Sequence, residues 1–203
     1  MRTVQKDSKT KAKILEAAEK LMLSKGYTAT SVDDICRQAK VTKGSFFYYF
    51  VSKEDLGKSA LGRFCCNVRS KMQDGCYLAP GGSDPLKRVY AHVDFAIKMS
   101  KKNFENSGCL LGIFAQELAD THPQIRSLCA DSFNEWAKIF TKDLKEAKEK
   151  YVPRSSIDAQ SLAEHFIVIL EGAQMLARVK RDQRIMGKNL GHFRQYLKSI
   201  FGR

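Results

Sequence analysis

The sequence predicts an all-α fold. Apolar residues recur at intervals of three and four along most of the 203 residues, the spacing that places them on one face of a helix. No segment alternates apolar and polar residues over more than a few positions, as a strand would. The composition, 43% hydrophobic and 28% charged, suffices for one large core or two unequal ones.

The first two helices are predicted from apolar spacing and capping residues. The first covers residues 8–25, and Gly26 stands where a left-handed C-cap would end it. The second begins at Thr30 or Ser31, because an aspartate three positions later completes a capping box, and it ends near Gln38.

The remaining helices follow from the same rules. Thr42 caps a third helix that runs through Phe50, and Ser52 caps a fourth that runs to about Gln73. The segment 79–85, rich in proline and glycine, ends this pattern. Five further helices are expected at 84–102, 107–119, 122–150, 155–181 and 187–201.

Several classes of protein are not expected. The longest apolar run, Phe166 to Leu170, is far shorter than the roughly 20 residues of a membrane-spanning helix. Residues 1–10 are polar and basic and lead into no apolar segment, so we expect a cytoplasmic protein without contact to a membrane. In that reducing compartment the six cysteines are expected to be free thiols. Neither the cysteines nor the four histidines show metal-ligand spacing, so we expect no metal, no cofactor and no catalytic site.

The formal net charge of +13 favours a polyanionic partner, for which DNA, RNA and an anionic membrane surface are candidates. The basic excess is spread along the chain, and one dense stretch is Arg178 to Arg203. Charge therefore suggests the class of partner but does not locate the binding site.

The residues from Thr30 to Phe50 have the spacing of a helix-turn-helix. The apolar side chains Val32, Ile35 and Ala39 would pack against Val41 and Phe46. Small, polar and cationic side chains near the start of the second helix suit a DNA major groove; they are Thr42, Lys43, Ser45 and Tyr48. A capped surface helix in an ordinary bundle would show the same pattern.

This stretch closely resembles the N-terminal domain of TetR-family transcriptional regulators. The resemblance is carried, in order and spacing, by Gly44-Ser45-Phe46, Tyr49-Phe50 and Ser52-Lys53-Glu54-Asp55-Leu56. It covers residues 8–56 and implies a DNA-binding domain over residues 1–56, followed by an effector-binding and dimerisation domain over residues 57–203. The implied partners are double-stranded DNA with an inverted repeat, a second copy of the chain and an unidentified effector.

The resemblance implies roles at matching positions. Phosphate contacts are expected from Thr30, Ser31, Tyr49 and Lys53, and contacts to bases or nearby backbone from Thr42, Lys43, Ser45 and Phe46. Thr30 and Thr42 are also adequate helix caps, and Phe46 also suits a core. Two positions depart from the family. Lys40 replaces the turn glycine and would be strained at a positive φ, and Phe47 replaces a tyrosine whose hydroxyl Tyr48 could supply.

The family dimerises through its last two helices. The matching apolar residues here are Phe166, Leu170, Ala173, Leu190, Phe193 and Leu197. The same stripes would equally suit the core of their own subunit. The dimer expectation therefore comes from the family and not from the spacing.

The block Gly108-Cys109-Leu110 resembles a branch of the family that responds to electrophiles and oxidants, which makes Cys109 a candidate sensor near a helix N-terminus. A buried core cysteine is the alternative. Apolar spacing suggests an effector pocket, with ordinary core as the alternative; its residues would be Phe95, Met99, Phe104, Phe114, Trp136, Phe140 and Met175. Two other functions stay open: a nonspecific, architectural DNA-binding protein, and a cysteine-dependent enzyme with Cys109 as the nucleophile.

Overall fold

The computed structural model describes residues 2–76, 83–101 and 108–202, with the side chains of 2–8, 73, 75 and 76 left aside. Within these ranges the chain forms nine helices and no strand, as the sequence predicts. The helices are α1 (Arg2–Lys25), α2 (Val32–Ala39), α3 (Lys43–Tyr49), α4 (Lys53–Cys76), α5 (Pro85–Ser100), α6 (Leu110–Leu118), α7 (Pro123–Tyr151), α8 (Ala159–Lys180) and α9 (Arg184–Phe201).

Several helix starts differ from the predicted ones, and capping residues account for two of them. α6 begins at Leu110, since the Cys109 side chain occupies the cap position, and α8 begins at Ala159, since Asp158 caps it. α9 begins at Arg184, three residues before the predicted start. Some predicted features lie outside the described residues: positions 79–82 of the predicted break, the helix end at 102, the helix start at 107 and Phe104.

The chain divides into two compact units. The first contains residues 1–67 and 108–129, so α6 and the start of α7 belong with the N-terminal helices. Its interior holds fully buried apolar side chains from α1, α2, α3, α4 and α6, among them Ile14, Met22, Ile35, Phe46, Leu56 and Phe114. The predicted boundary after Leu56 divides the DNA-binding domain from the effector-binding domain, and it stays a prediction. The first compact unit extends beyond that residue.

The second unit contains residues 68–107 and 130–203. Its core is built from α5, α7, α8 and α9 and includes Val89, Val93, Phe140, Leu144, Leu190, Phe193 and Leu197. A buried ionic group accompanies this core: Arg88 Nε lies 2.8 Å and His92 Nε2 lies 2.9 Å from the two carboxylate oxygens of Asp143. These contacts join α5 to α7 and satisfy both oxygens of a fully buried carboxylate.

None of the helices in the described ranges has the combination of length and apolar character that crossing a bilayer requires.

Candidate nucleic-acid interface and its connections

Helix α2 is fixed at its N-terminus by the predicted capping box. The Asp34 amide donates to Ser31 Oγ at 3.1 Å, and the Ser31 amide donates to Asp34 Oδ2 at 3.2 Å. Lys25 Nζ, at the end of α1, lies 2.7 Å from the same carboxylate. The hydrogen bond from Lys25, together with those from Ser31, lowers the pKa of Asp34 well below its usual range. One carboxylate therefore holds α1 and the start of α2 together.

The turn between α2 and α3 needs a left-handed residue, and Lys40 supplies it with φ 55° and ψ 49°. The Val41 amide donates to the Cys36 carbonyl at 3.0 Å, which closes the end of α2 in the manner of a Schellman motif. The sequence therefore located the strained position correctly. Lysine is strained in this conformation because it has a Cβ, whereas glycine adopts it freely.

Helix α3 buries one face and exposes the other. Thr42 caps it by accepting a hydrogen bond from the Ser45 amide at 3.1 Å. Phe46 and Phe50 point into the core, while Tyr48 is 73% exposed and Phe47 and Val51 are also exposed. Lys43 lies on the exposed side, and Ser45 and Tyr49 are partly buried. The outward face thus carries a cation and aromatic rings on a short, rigidly capped helix.

Two predicted DNA contacts are corrected by their burial. Thr30 is 1% exposed, and its hydroxyl donates to the Gly26 carbonyl at 2.7 Å, so it closes the turn before α2. Phe46 is 0% exposed and lies in the core. Neither side chain can touch DNA in this conformation, and the alternatives of a capping role and a core role hold for them.

Lys53 also has a structural environment that the sequence did not reveal. Its ammonium donates to the carbonyls of Tyr27 at 3.2 Å and Thr30 at 3.1 Å, and it lies 4.2 Å from the centre of the Tyr27 ring. Burial lowers the pKa of this ammonium, against a smaller opposite effect of the Glu117 carboxylate. A phosphate contact by Lys53 stays a prediction, and it would have to compete with these partners.

Helix α6 reaches the turn between α1 and α2. Glu117 Oε2 accepts a hydrogen bond from the Thr28 amide at 2.7 Å, and any Cβ at Gly26, where φ is +88°, would collide with Glu117 Oε1. The Phe114 ring packs against the Tyr27 ring with 5.2 Å between centroids. We call Gly26, Tyr27, Thr28, Phe114 and Glu117 the turn clamp. Sequence reasoning missed Glu117, because a single exposed glutamate on a helix carries no distinguishing pattern.

Cys109 lies at the N-cap of α6, where its Sγ accepts a hydrogen bond from the Gly112 amide at 3.4 Å. The side chain is almost entirely buried. Cys129 lies beside the same first turn, with Sγ 4.0 Å from the Leu111 carbonyl, and burial raises its pKa to about 11. The predicted position of Cys109 at a helix N-terminus is therefore present, and its role as a sensor stays a prediction.

The predicted effector residues do not form one group. Phe114 belongs to the turn clamp in the first unit. Phe95, Met99 and Trp136 are partly buried in the second unit, and the Trp136 ring packs against Phe133 with 5.9 Å between centroids. Met175 is a correction: it is half exposed on the outer face of α8 and lines no interior pocket there.

The predicted dimer surface is also corrected, because most of its residues are buried within their own unit. Leu190 and Leu197 are 0% exposed, and Ala173 and Phe193 are also buried, so these four belong to the core of their own unit. Phe166 and Leu170 are partly buried against that core. The apolar side chains that α8 and α9 expose are different ones: Val168, Met175, Leu176 and Val179 on α8 and Tyr196 on α9. We call these five residues the outer stripe.

Family models match most of the chain. Residues 14–60 match the model described as bacterial regulatory proteins of the tetR family, and residues 85–193 match the tetracyclin repressor-like C-terminal domain. The HTH-type transcriptional repressor DhaR of Mycobacterium sp. (strain GP1) is 27% identical over 170 residues, which are 84% of this chain and 83% of DhaR.

Solved structures of similar proteins have the same fold. A TetR transcriptional regulator from Chloroflexus aurantiacus J-10-FL matches with a TM-score of 0.85 and 25% identity over 96% of each chain. The reduced form of Escherichia coli NemR matches with a TM-score of 0.76 and 23% identity over 92% of this chain and 96% of NemR. Regulators of this family bind DNA, typically as dimers. With both family models matched in order, this chain belongs to the TetR family of bacterial transcriptional regulators.

Proposed function

We propose that this regulator is a repressor that binds an inverted-repeat operator as a homodimer and leaves it when an effector binds or Cys109 is modified. The observation that carries the DNA-binding part is the outward face of α3. Lys43 and Tyr48 are exposed there on a helix whose start, end and preceding turn are all fixed by hydrogen bonds. A rigid helix with exposed polar and aromatic side chains is the element that reads base edges in the major groove.

The outer stripe supports dimerisation. Its residues on α8 are spaced 7, 8 and 11 positions after Val168, so they lie along one side of the helix. Gly172 lies on the same helix, and a Cβ there would meet nothing within 4 Å, so a second helix can approach closely. A two-fold axis through this surface would present two copies of α3 to one inverted repeat.

The binding proposal is tested by fluorescence anisotropy. DNA from upstream of the gene for this chain and a scrambled control are titrated with the protein at about 0.15 M salt, where nonspecific contacts are weak. We expect tight binding to the upstream DNA only. Lys43→Ala should lower affinity for both DNAs, because it removes a cation from the α3 face. Lys20→Ala, an exposed lysine on α1, is the matched control and should bind like the wild type.

Equal, weak binding to both DNAs would contradict the proposal and favour the architectural protein. An architectural protein has almost no preference for one sequence, whereas a regulator binds its site at least about a thousandfold more tightly than other DNA.

Contacts at both ends of α6 support the release of DNA through a change in this helix. Cys109 caps the N-terminus of the helix, and Phe114 and Glu117, within its last two turns, hold the turn between α1 and α2. A thiol that loses the hydrogen bond from Gly112, or a ligand that displaces α6, would change the turn clamp and with it the start of α2. Affinity for the operator would then fall, because the chain with the changed turn clamp binds DNA less tightly than the unmodified, ligand-free chain.

The thiol route is tested with Cys109→Ser. We expect N-ethylmaleimide to release the wild type from the operator and to leave the Cys109→Ser variant bound. Cys66→Ser, at an exposed position of α4, is the matched control and should respond like the wild type. Release of Cys109→Ser at the same dose would contradict the thiol route and leave release by a noncovalent ligand.

A further inference from the structure

An acidic residue lies beside the DNA-reading helix and is paired with its lysine. Asp33 is the second residue of α2, and Lys43 is the first residue of α3. Lys43 Nζ lies 2.8 Å from Asp33 Oδ1, and the hydrogen bond that the ammonium donates to this carboxylate raises the pKa of Lys43. The two side chains are 57% and 62% exposed, so both are within reach of an approaching phosphate.

The neighbouring acid is engaged elsewhere. Asp34 accepts hydrogen bonds from Lys25, Arg37 and the Ser31 amide, which makes it part of the scaffold of α2. Asp33 has no part in the capping box of α2. Asp33 therefore has a different role from Asp34, although the two are adjacent in the sequence and identical in type.

Pairing with Asp33 changes what Lys43 can offer to DNA. Nonspecific binding depends almost entirely on cations that neutralise phosphates and release counterions. A lysine that is already paired with a carboxylate gives little of this energy. Specific binding suffers less, because it also draws on contacts to base edges.

We propose that Asp33 is a specificity-determining residue: as the counter-ion of Lys43 it weakens binding to non-operator DNA more than binding to the operator. This inference rests on the proposed DNA-binding role of α3. The Asp33 carboxylate, on α2, would then discriminate against random DNA, although it lies outside the family motif of residues 44–56.

The test compares Asp33→Asn with the wild type in the anisotropy assay over a range of salt concentrations. We expect Asp33→Asn to bind scrambled DNA about two- to fivefold more tightly at 0.15 M salt, the range of an exposed ion pair. The slope of log K against log salt should steepen by about 0.9, one additional neutralised phosphate. Affinity for the operator should rise less, so the ratio of specific to nonspecific affinity falls.

Two controls separate the ion pair from a general charge effect. Asp131→Asn, at an exposed position of α7, makes the same change in net charge and should leave the slope for scrambled DNA unchanged. In a Lys43→Met background, Asp33→Asn should have no further effect on the slope. Circular dichroism should show the same helix content in every variant.

Three results would overturn the inference: an unchanged slope for Asp33→Asn, the same change for Asp131→Asn, or a change that persists without Lys43. The proposed function fails by a different result, namely a wild type that does not distinguish upstream from scrambled DNA. The slope on scrambled DNA is measured without any operator, so the two failures are distinguishable.

Discussion

At the scale of single residues, the helix-turn-helix depends on residues that hold its turns in place. Lys40 holds the left-handed conformation of the turn, Thr30 closes the preceding turn from the interior, and Lys53 bridges two carbonyls beneath it. Thr30 and Lys53 match family positions for phosphate contacts, and their surroundings in this chain are structural. Motif position alone therefore does not separate a residue that supports the interface from one that forms it.

Replacing Lys40 with glycine should stabilise the chain. A non-glycine residue in the left-handed region costs about 1 to 2 kcal/mol, and glycine removes that cost because it has no Cβ. We expect the free energy of unfolding, measured with urea, to rise by about 0.5 to 1 kcal/mol after the greater freedom of glycine in the unfolded chain is included. Lys20→Gly, at an exposed helical position of α1, should instead lower it by about 1 kcal/mol. A loss of stability in Lys40→Gly would contradict the strain assigned to Lys40.

At the scale of helices, caps decide where each element begins and neighbours decide which face is buried. Thr42 and Ser31 were identifiable as caps from the sequence because threonine and serine are common there. Cys109 was not, since cysteine is an unusual cap. The apolar stripe of α9 was also identifiable, but its spacing does not say whether the covering surface belongs to the same chain. The family resemblance placed Leu190 and Leu197 in a dimer surface, whereas both lie in the core of their own unit. The spacing did not single out the exposed apolar side of α8.

The start of α2 should depend on pH through Asp34. Because its pKa is lowered in the folded state, the stabilisation is fully present above the unfolded value of 3.8 and is lost as pH falls towards the lower folded value. We expect Asp34→Asn to destabilise the chain clearly at pH 6 and progressively less below pH 4, as measured by urea unfolding. A constant deficit of Asp34→Asn across this range would show that its charge is not what stabilises α2.

At the scale of the whole molecule, the chain combines α3, the proposed DNA-reading helix, in one compact unit with an exposed apolar stripe in the other. The family fold was predictable from the resemblance over residues 8–56, because Gly44-Ser45-Phe46, Tyr49-Phe50 and Ser52-Lys53-Glu54-Asp55-Leu56 match the family pattern in order and spacing. The turn clamp was not, since it joins Tyr27 to Phe114 and Thr28 to Glu117 across almost ninety positions. Contacts at such separation leave no periodic pattern in one sequence.

The outer stripe should control the oligomeric state. Val179 is 77% exposed in the single chain, so Val179→Glu should leave the fold intact and disrupt a dimer by placing a charge in an apolar interface. Sedimentation velocity should show a dimer for the wild type and a monomer for Val179→Glu. Ala130→Glu, at an exposed position of α7, should remain a dimer. Leu197→Ala should instead lower the free energy of unfolding by about 2 to 5 kcal/mol, because Leu197 is a core residue. A Val179→Glu dimer would contradict the assignment of this surface.

In the proposed function, two copies of the chain read an inverted repeat through two α3 helices. Hydroxyl-radical footprinting of the chain on its own upstream DNA tests it most directly. We expect two protected segments related by two-fold symmetry and separated by one or more helical turns, both lost with Val179→Glu. A single protected segment, or uniform protection of the whole fragment, would contradict the account.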